Sequence, residues 1–572
     1  MGDTTTNYPW RISAPMYERI TAAVARRSRI LSSDFVLPSR HTLSRYVEGY
    51  FRGYHVHLPF LHAATISLSD VPEELILAIA AVGALYKFEH GKGYELYFAA
   101  RALVSHRLQE QNWESSRHLV GNSPSYTGVS NHLRSRSGNR TDIGSSSSSS
   151  GSSGRPGPSF LETPLNVIRI VQTLNILVSV ASWGEGTLVP EALEMGSQLV
   201  LLLRTAEISE PDNMPSNVQW KDWIVIEERR RTMLVGYTVT TLHCVAFNIP
   251  PPVMNQEVAL FLPHRMDLWV ASNEDEWIDT QRKQTHTERQ FKEVLGTLLS
   301  GNKVERPTEV SAFGNYIVIH GLVQHIFTER QISSLRTSGP SLEPTKITSL
   351  DASLRSWQQC WHSSSESSLD PLSSNGPLAF NSTALLRIAY IRLNVDLGPR
   401  RSVITRNPVC LARSVAETPT TLIERSAHTE LAVLQCIHAL GILVRAGVAF
   451  VSRTHAHSWS IVHSLGNIEC ACFLSLWLRN IASVVQLQGT QSLREEERRL
   501  LGMITSVVGE TTLGPGVHGE PDGAAKIQKL AACTVRIWAD ALQGDHVFEM
   551  VHTIAKGMSL AANILDERLV GT

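Results

Sequence analysis

Apolar side chains recur along this chain at the three- and four-residue spacing of helices, and no stretch sustains the two-residue alternation of a strand. The clearest case begins at Pro72, Glu73 and Glu74. Proline suits a first helical turn, and carboxylates suit the positive end of the helix dipole. Leu75, Ile79, Val82 and Tyr86 follow at helical spacing. Ile76, Ala80 and Gly83 occupy other faces of the run, so little of this helix can meet water and it is predicted to be central. "LNVIRIVQTLNILVSVASWG" and "PEALEMGSQLVLLLRTAEI" predict two more helices, with Gly184 and Gly186 in the turn between them. A long helix is predicted over about Trp220 to His243, after which the three prolines of "NIPPPV" turn the chain. No repeat of fixed period is present, and the predicted fold class is all-α: a large multi-helix body interrupted by a Ser-rich loop.

The breaks in this pattern set the expected organisation. Residues 1–36 read as a helical lead-in and 37–113 as the first helical part. Residues 114–158 carry a run of six serines in "SGNRTDIGSSSSSSGSSGRPGPS" and almost no bulky apolar side chain. That composition does not offset the entropy of ordering, so a disordered loop or linker is expected. Helical periodicity resumes over 159–335. Residues 336–380 read as a loop-rich connection containing "SSSESSLDPLSSNGP", and 381–572 as a C-terminal helical region.

With 572 residues, 42% apolar and 18% charged, the chain can bury a large core. Lys and Arg total 52 against 53 Asp and Glu. The body therefore lacks the basic excess that neutralises many phosphates, and direct duplex binding by the whole body is disfavoured. The seven cysteines, from Cys244 to Cys533, are scattered through apolar stretches, as reduced thiols of a nuclear or cytosolic protein are. The N-terminus has no signal-peptide core, and the run Leu75–Leu85 is too short to span a bilayer, so no membrane partner is expected.

Several stretches together resemble the fungal-specific transcription factor regulatory domain, in the branch that normally carries Cys/His zinc fingers ahead of it. They are "LSRYVEGYFRGYHVHLPFLHAATI", "VPEELILAIAAVGALY", "FAARALVSHRL", "WKDWIVIEERRRTMLVGYTV", "AFNIPPPVMNQEVALFLPHRMDLWVASNEDEW", "LLRIAYIRLNVDLGPRR" and "VRIWADALQGDHVFEMVHTIAKGMSLAANIL". The resemblance implies a nuclear regulator of a defined gene set, such as a nutrient or secondary-metabolite pathway, without catalysis. It implies partners among transcription coregulators or DNA-binding family members, in a homo- or heterodimer. The departure is the DNA-reading module. A binuclear zinc cluster needs six cysteines in a short basic segment, and a zinc finger needs a Cys pair followed by a His pair; neither is present. No cofactor is expected in this chain, zinc being expected only in a missing module. DNA contact is therefore indirect, through an upstream finger region outside this sequence or through a partner. The alternative reading is a helical small-molecule sensor or an unrecognised helical enzyme, although P-loop, GxSxG, HExxH and dinucleotide signatures are missing.

The candidate site residues are Glu227, Arg229, Arg230, Arg231, His57 and His62. Arg230 shares a helix face with Ile226, Met233 and Tyr237, so its guanidinium must pair or snorkel. Glu227 precedes Arg231 by four residues, the favourable order for a helical ion pair. A structural ion-pair network is preferred over phosphate contact, because Glu227 and Glu228 cancel most of the local field. His55, His57 and His62, in "YHVHLPFLH", read as hydrogen-bonding members of the core rather than metal ligands. His455, His457, His463, Cys470 and Cys472 read as buried thiols and partly exposed imidazoles, since two-residue neighbours on a helix point apart. "SNEDEW" reads as a folded acidic surface segment, and the arginines of "AVARRSRI" as an import signal or the solvated face of the first helix.

Overall fold

A computed structural model describes residues 10–121, 165–215, 217–283, 288–301, 310–336, 342–397, 403–520 and 523–570. Twenty-one α-helices occur among the described residues. They are α1 (Ala14–Arg26), α2 (Arg40–Gly49), α3 (Glu73–Leu85), α4 (His90–Gly121), α5 (Leu165–Trp183), α6 (Val189–Thr205), α7 (Trp220–Phe247), α8 (Met266–Trp269), α9 (Glu274–Lys283), α10 (Phe291–Leu299) and α11 (Ala312–Arg336). Then come α12 (Pro344–Ser363), α13 (Leu378–Asn394), α14 (Pro408–Glu417), α15 (Ala427–Ala446), α16 (Val448–Ser458), α17 (Ile461–Gln488), α18 (Glu495–Gly509), α19 (Gly514–His518), α20 (Ala524–Ala541) and α21 (Glu549–Val570). The only extended pairing among the described residues is one antiparallel bridge, Phe261 to Gln290. The fold is all-α.

α3 starts where its sequence predicts, with Pro72 at the N-cap and Glu73 and Glu74 in the first turn. Every residue from Glu74 to Leu85 is buried, because α2, α4 and α5 surround it. α2 crosses α3 at a glycine pair. A Cβ on Gly83 would fall on the Tyr46 carbonyl oxygen, and one on Gly49 would strike the Gly83 carbonyl. The two backbones touch there, which only glycine permits. α7 runs to Phe247, and Asn248 ends it at φ 55°, ψ 38°, a left-handed C-terminal cap, before the prolines turn the chain.

A spine of packed helices, α7, α11, α13, α17 and α20, carries the core from the first half into the second. α13 is buried from Leu378 to Leu393 and lies between α11 on one side and α15 and α17 on the other. Arg392 near its C-terminus donates to Glu469 of α17 at 2.8 Å and to the Val245 carbonyl of α7 at 2.6 Å. One apolar cluster extends from Ile12 to Leu565. A second, smaller cluster gathers Trp220, Trp223, Trp269 and Trp277.

Several details differ from the sequence reading. α4 continues to Gly121, eight residues past the expected boundary at 113; residues 122–158 of the expected Ser-rich loop lie outside the described residues. The loop-rich connection at 336–380 contains the twenty-residue helix α12. Among the described residues two helices, α15 and α17, are long and apolar enough to cross a bilayer by length and composition. The apolar window of α17 is 78% buried inside the body, so its hydrophobicity is used in packing against α13 and α20.

Candidate functional site

The arginine run of α7 lies inside the protein. Arg230 and Arg231 have no exposed surface and Arg229 is buried. Arg230 Nε donates to Asp212 Oδ2 at 2.7 Å, and its Nη2 donates to the Asp212 carbonyl at 3.1 Å and to Glu288 Oε1 at 3.0 Å. Its Nη1 reaches Glu227 Oε2 at 3.3 Å. The predicted i,i+4 pair forms: Arg231 Nε donates to Glu227 Oε1 at 2.7 Å. Arg231 also donates to the His264 carbonyl at 2.6 Å and lies 4.3 Å from the ring centre of Trp269. Arg229 Nη2 donates to the Ala206 carbonyl at 2.6 Å.

Glu227 is the hub of this network. It accepts from the His264 backbone N–H and contacts His264 Nδ1, both at 2.9 Å. Burial by itself would raise its pKa, but His264, Arg231 and Arg230 outweigh burial and hold the carboxyl well below the usual carboxylate range. Asp212 contributes its second oxygen to the Phe261 N–H at 2.8 Å. The arrangement ties α7 to the Asp212 segment and to the Phe261–Arg265 segment. Groups with no exposed surface in a paired network cannot reach a phosphate backbone.

The loop after α2 docks on the same helix. Glu228 accepts from the His62 backbone N–H at 3.2 Å, from Arg169 Nη1 at 2.7 Å and from Gln172 Nε2 at 2.9 Å. His62 Nδ1 contacts Thr65 Oγ1 at 2.7 Å, and its ring meets Trp269 edge-on at 4.8 Å. So His62 joins the α7 network, through a backbone contact to Glu228 and a shared tryptophan with Arg231. His57 does not. Its Nδ1 accepts from Asn381 Nδ2 of α13 at 3.2 Å, and His55 Nε2 meets the Leu61 carbonyl at 2.8 Å. Burial pushes His55, His57 and His62 down to about 4, so all three are neutral core members near neutral pH.

The second histidine group corrects one expectation. Cys470 and Cys472 are buried as expected, but His455 and His463 are buried as well rather than partly exposed. The cause is packing against aromatic rings: His463 stacks on Phe380 at 4.1 Å, and His455 packs on Trp459 at 5.5 Å and meets His546 edge-on at 5.7 Å. The His457 side chain lies outside the described residues. Among the described residues, no group of three or more His, Cys, Asp or Glu side chains is placed to hold a metal ion. These residues do not fit a zinc module.

Two surface segments complete the placement. In "SNEDEW", Glu276 Oε2 accepts from the Ser272 backbone and hydroxyl, both at 2.8 Å, while Trp277 buries against Trp223. The segment is the folded start of α9. Arg26 and Arg29 are exposed at the end of α1. Asp212, His264 and Glu288 were not identified from the sequence, since they reach α7 from loops with no periodicity to mark them.

A family model described as fungal specific transcription factor domain matches residues 47–359, more than half of the chain. The chain belongs to this family. A second model, fungal transcription factor C-terminal domain, matches residues 396–560. α13 lies between the two matched segments and packs against helices of both, so in this family member they share one core. Over 123 residues the chain is 27% identical to a protein of Emericella nidulans named "Nicotinate catabolism cluster-specific transcription factor". That match covers 21% of this chain and 14% of the relative, so the chain spans a small part of that relative's length. No solved structure matches the chain.

Proposed function

We propose that this chain is the regulatory body of a fungal transcription regulator that controls a defined gene set without catalysis. The observation that carries the reading is the pair of family matches, 47–359 and 396–560, on one continuous helical core. The name of the Emericella nidulans relative, specific to one catabolic cluster, favours a pathway-restricted gene set of nutrient or secondary-metabolite type. Burial of Arg229, Arg230 and Arg231, together with a net charge of -1, supports indirect DNA contact. Zinc and base reading then belong to a separate module or to a partner. The partner class is a coregulator or a DNA-binding family member, met in the nucleus through a helical surface, as a homo- or heterodimer.

The test is fusion of the full chain to a foreign DNA-binding domain in a fungal reporter strain. A change in reporter output relative to the domain alone is expected. An expressed, nuclear fusion with no effect on output overturns the regulatory reading.

A further inference from the structure

A cleft of about 680 Å³ lies where the two family segments meet. The α3–α4 turn supplies Phe88, the start of α4 supplies His90 and Tyr94, and the α5–α6 turn supplies Glu185 and Gly186. The α20–α21 connection and the first turn of α21 supply Asp545, His546, Phe548 and Glu549. The first three groups belong to the 47–359 segment and the last to the 396–560 segment. The volume falls within the range of metabolite sites, which run from about 300 to 1,000 Å³.

The lining combines carboxylates with the imidazoles of His90, His546 and His552. Glu185, Asp545 and Glu549 line the cleft, and among the described residues no Lys or Arg does. Among the described residues none of the three makes an ion pair within 4 Å. Arg406, packed behind Gly186 and donating to the Ser182 carbonyl, acts on Glu549 through its charge without an ion-pair contact. Glu549 is held by the Gly186 N–H at 2.9 Å. Beside these carboxylates stand three aromatic rings, of Phe88, Tyr94 and Phe548. Aromatic faces and carboxylates together suit a cationic nitrogen on an apolar body. The wall also holds an unmet polar group. His546 is more than nine-tenths buried, its Nε2 contacts the Leu542 carbonyl at 2.5 Å, and its Nδ1 has no hydrogen-bond partner. A buried imidazole nitrogen without a partner is costly, which marks the wall as polar ground that the packing leaves unsatisfied.

We propose that this cleft binds a small organic cation, a protonated amine carried on an aromatic or alkyl body. Because its walls come from both family segments, such a ligand bridges them. The inference does not depend on the regulatory reading, since binding is measured on the purified chain and can fail or succeed independently of the reporter.

The experiment is isothermal titration of the full chain with tryptamine, tyramine, agmatine and choline. Indole-3-acetate and tryptophol are the anionic and neutral counterparts of tryptamine. Saturable binding of at least one amine is expected, and tryptamine should bind at least about tenfold more tightly than either counterpart. The double variant Asp545→Asn, Glu549→Gln should lose at least about tenfold in affinity while keeping its fold, because a glutamine side chain at the second position still offers an oxygen to the Gly186 N–H. Glu274→Gln, exposed on α9, should bind as the parent does. Binding of none of the four cations, equal binding of indole-3-acetate, or an unchanged affinity in the double variant each overturns the proposal.

Discussion

Replacing Arg230 by Met tests whether the α7 arginines hold the fold or read a phosphate. Methionine keeps much of the side-chain volume and removes the charge. It deletes the 2.7 Å contact to Asp212 Oδ2, the 3.0 Å contact to Glu288 and the 3.3 Å contact to Glu227. Glu227 keeps Arg231 and His264, and Glu288 has some exposure to water. Asp212 fares worst: it has no exposed surface and retains the Phe261 N–H on one oxygen. Breaking a buried pair and stranding one charge costs about 3–5 kcal/mol. For a chain of 572 residues unfolding cooperatively, an entropy of ~1.2 kcal/mol/K turns a loss of ~4 kcal/mol into a fall of ~3 °C in Tm.

The assay is thermal and urea unfolding followed by far-UV circular dichroism. Arg204→Met serves as the surface comparison, since Arg204 pairs with Glu257 at a half-exposed site. That variant should lose no more than ~1 kcal/mol. Adding Asp212→Asn to Arg230→Met should restore part of the loss, because no stranded carboxylate then remains at that position. An Arg230→Met protein that unfolds with the parent, while losing retention on a DNA column, refutes the buried-network argument.

Further outcomes follow from other parts of the fold. Gly83→Ala should destabilise by about 3 kcal/mol or more and lower the soluble yield, because the new Cβ meets the backbone of Tyr46. Gly502→Ala, in the middle of α18 with nothing within 4 Å of the added carbon, should raise stability by about 0.5–1 kcal/mol in the same melts. The buried histidines make the protein acid-labile: burial pushes His57, His62 and His243 down to about 4 and His455 down to about 3. Their folded values lie below the unfolded value, so their contribution is complete above pH ~6.5 and is lost as pH falls toward 4, at up to ~1.4 kcal/mol per pH unit for each. Urea midpoints should therefore drop steeply between about pH 6.5 and 5, and a flat profile there would show that these imidazoles are solvated. Glu469→Leu should strand the Arg392 guanidinium between α13 and α17 and cost about 3–5 kcal/mol, read as a lower urea midpoint.

How much of this was legible in the sequence depends on whether a residue's partners lie on its own helix. Glu227 and Arg231 pair across one turn, so four-residue spacing sufficed. Burial of α3 followed from apolar residues on all of its faces. Asp212 and Glu288 reach Arg230 from 18 and 58 residues away, through segments with no period, and no local rule finds such contacts. α12 is a different case. Leu350, Leu354, Trp357 and Trp361 carry helical spacing, but the Gly/Pro-broken segment before them and the serine-rich segment after them favour a loop-rich reading. His455 and His463 were placed too near the surface because imidazole is polar. Trp459 lies four residues from each, but Phe380 against His463 and His546 against His455 come from distant segments, and that packing decides their burial.

The same distinction explains why the cleft escaped sequence reading and why its position matters. Its walls come from three turns near residues 90, 186 and 546, each ordinary when taken alone. They meet because α13 and α17 close the second family segment onto the first, with Arg392 tied to Glu469 and to α7. A close-packed core transmits small shifts instead of absorbing them. A ligand that draws Asp545 and Glu549 toward Glu185 therefore acts on the ends of α20 and α21 and on the α5–α6 turn together. α5 in turn packs on α7, the helix that anchors the arginine network. Occupancy of the cleft and the stability of that network should be coupled. Arg230→Met should weaken amine binding although it touches no ligand, and by reciprocity the amine should stabilise the parent more than the variant. Equal stabilisation of both proteins at saturating amine would show that cleft and network are independent.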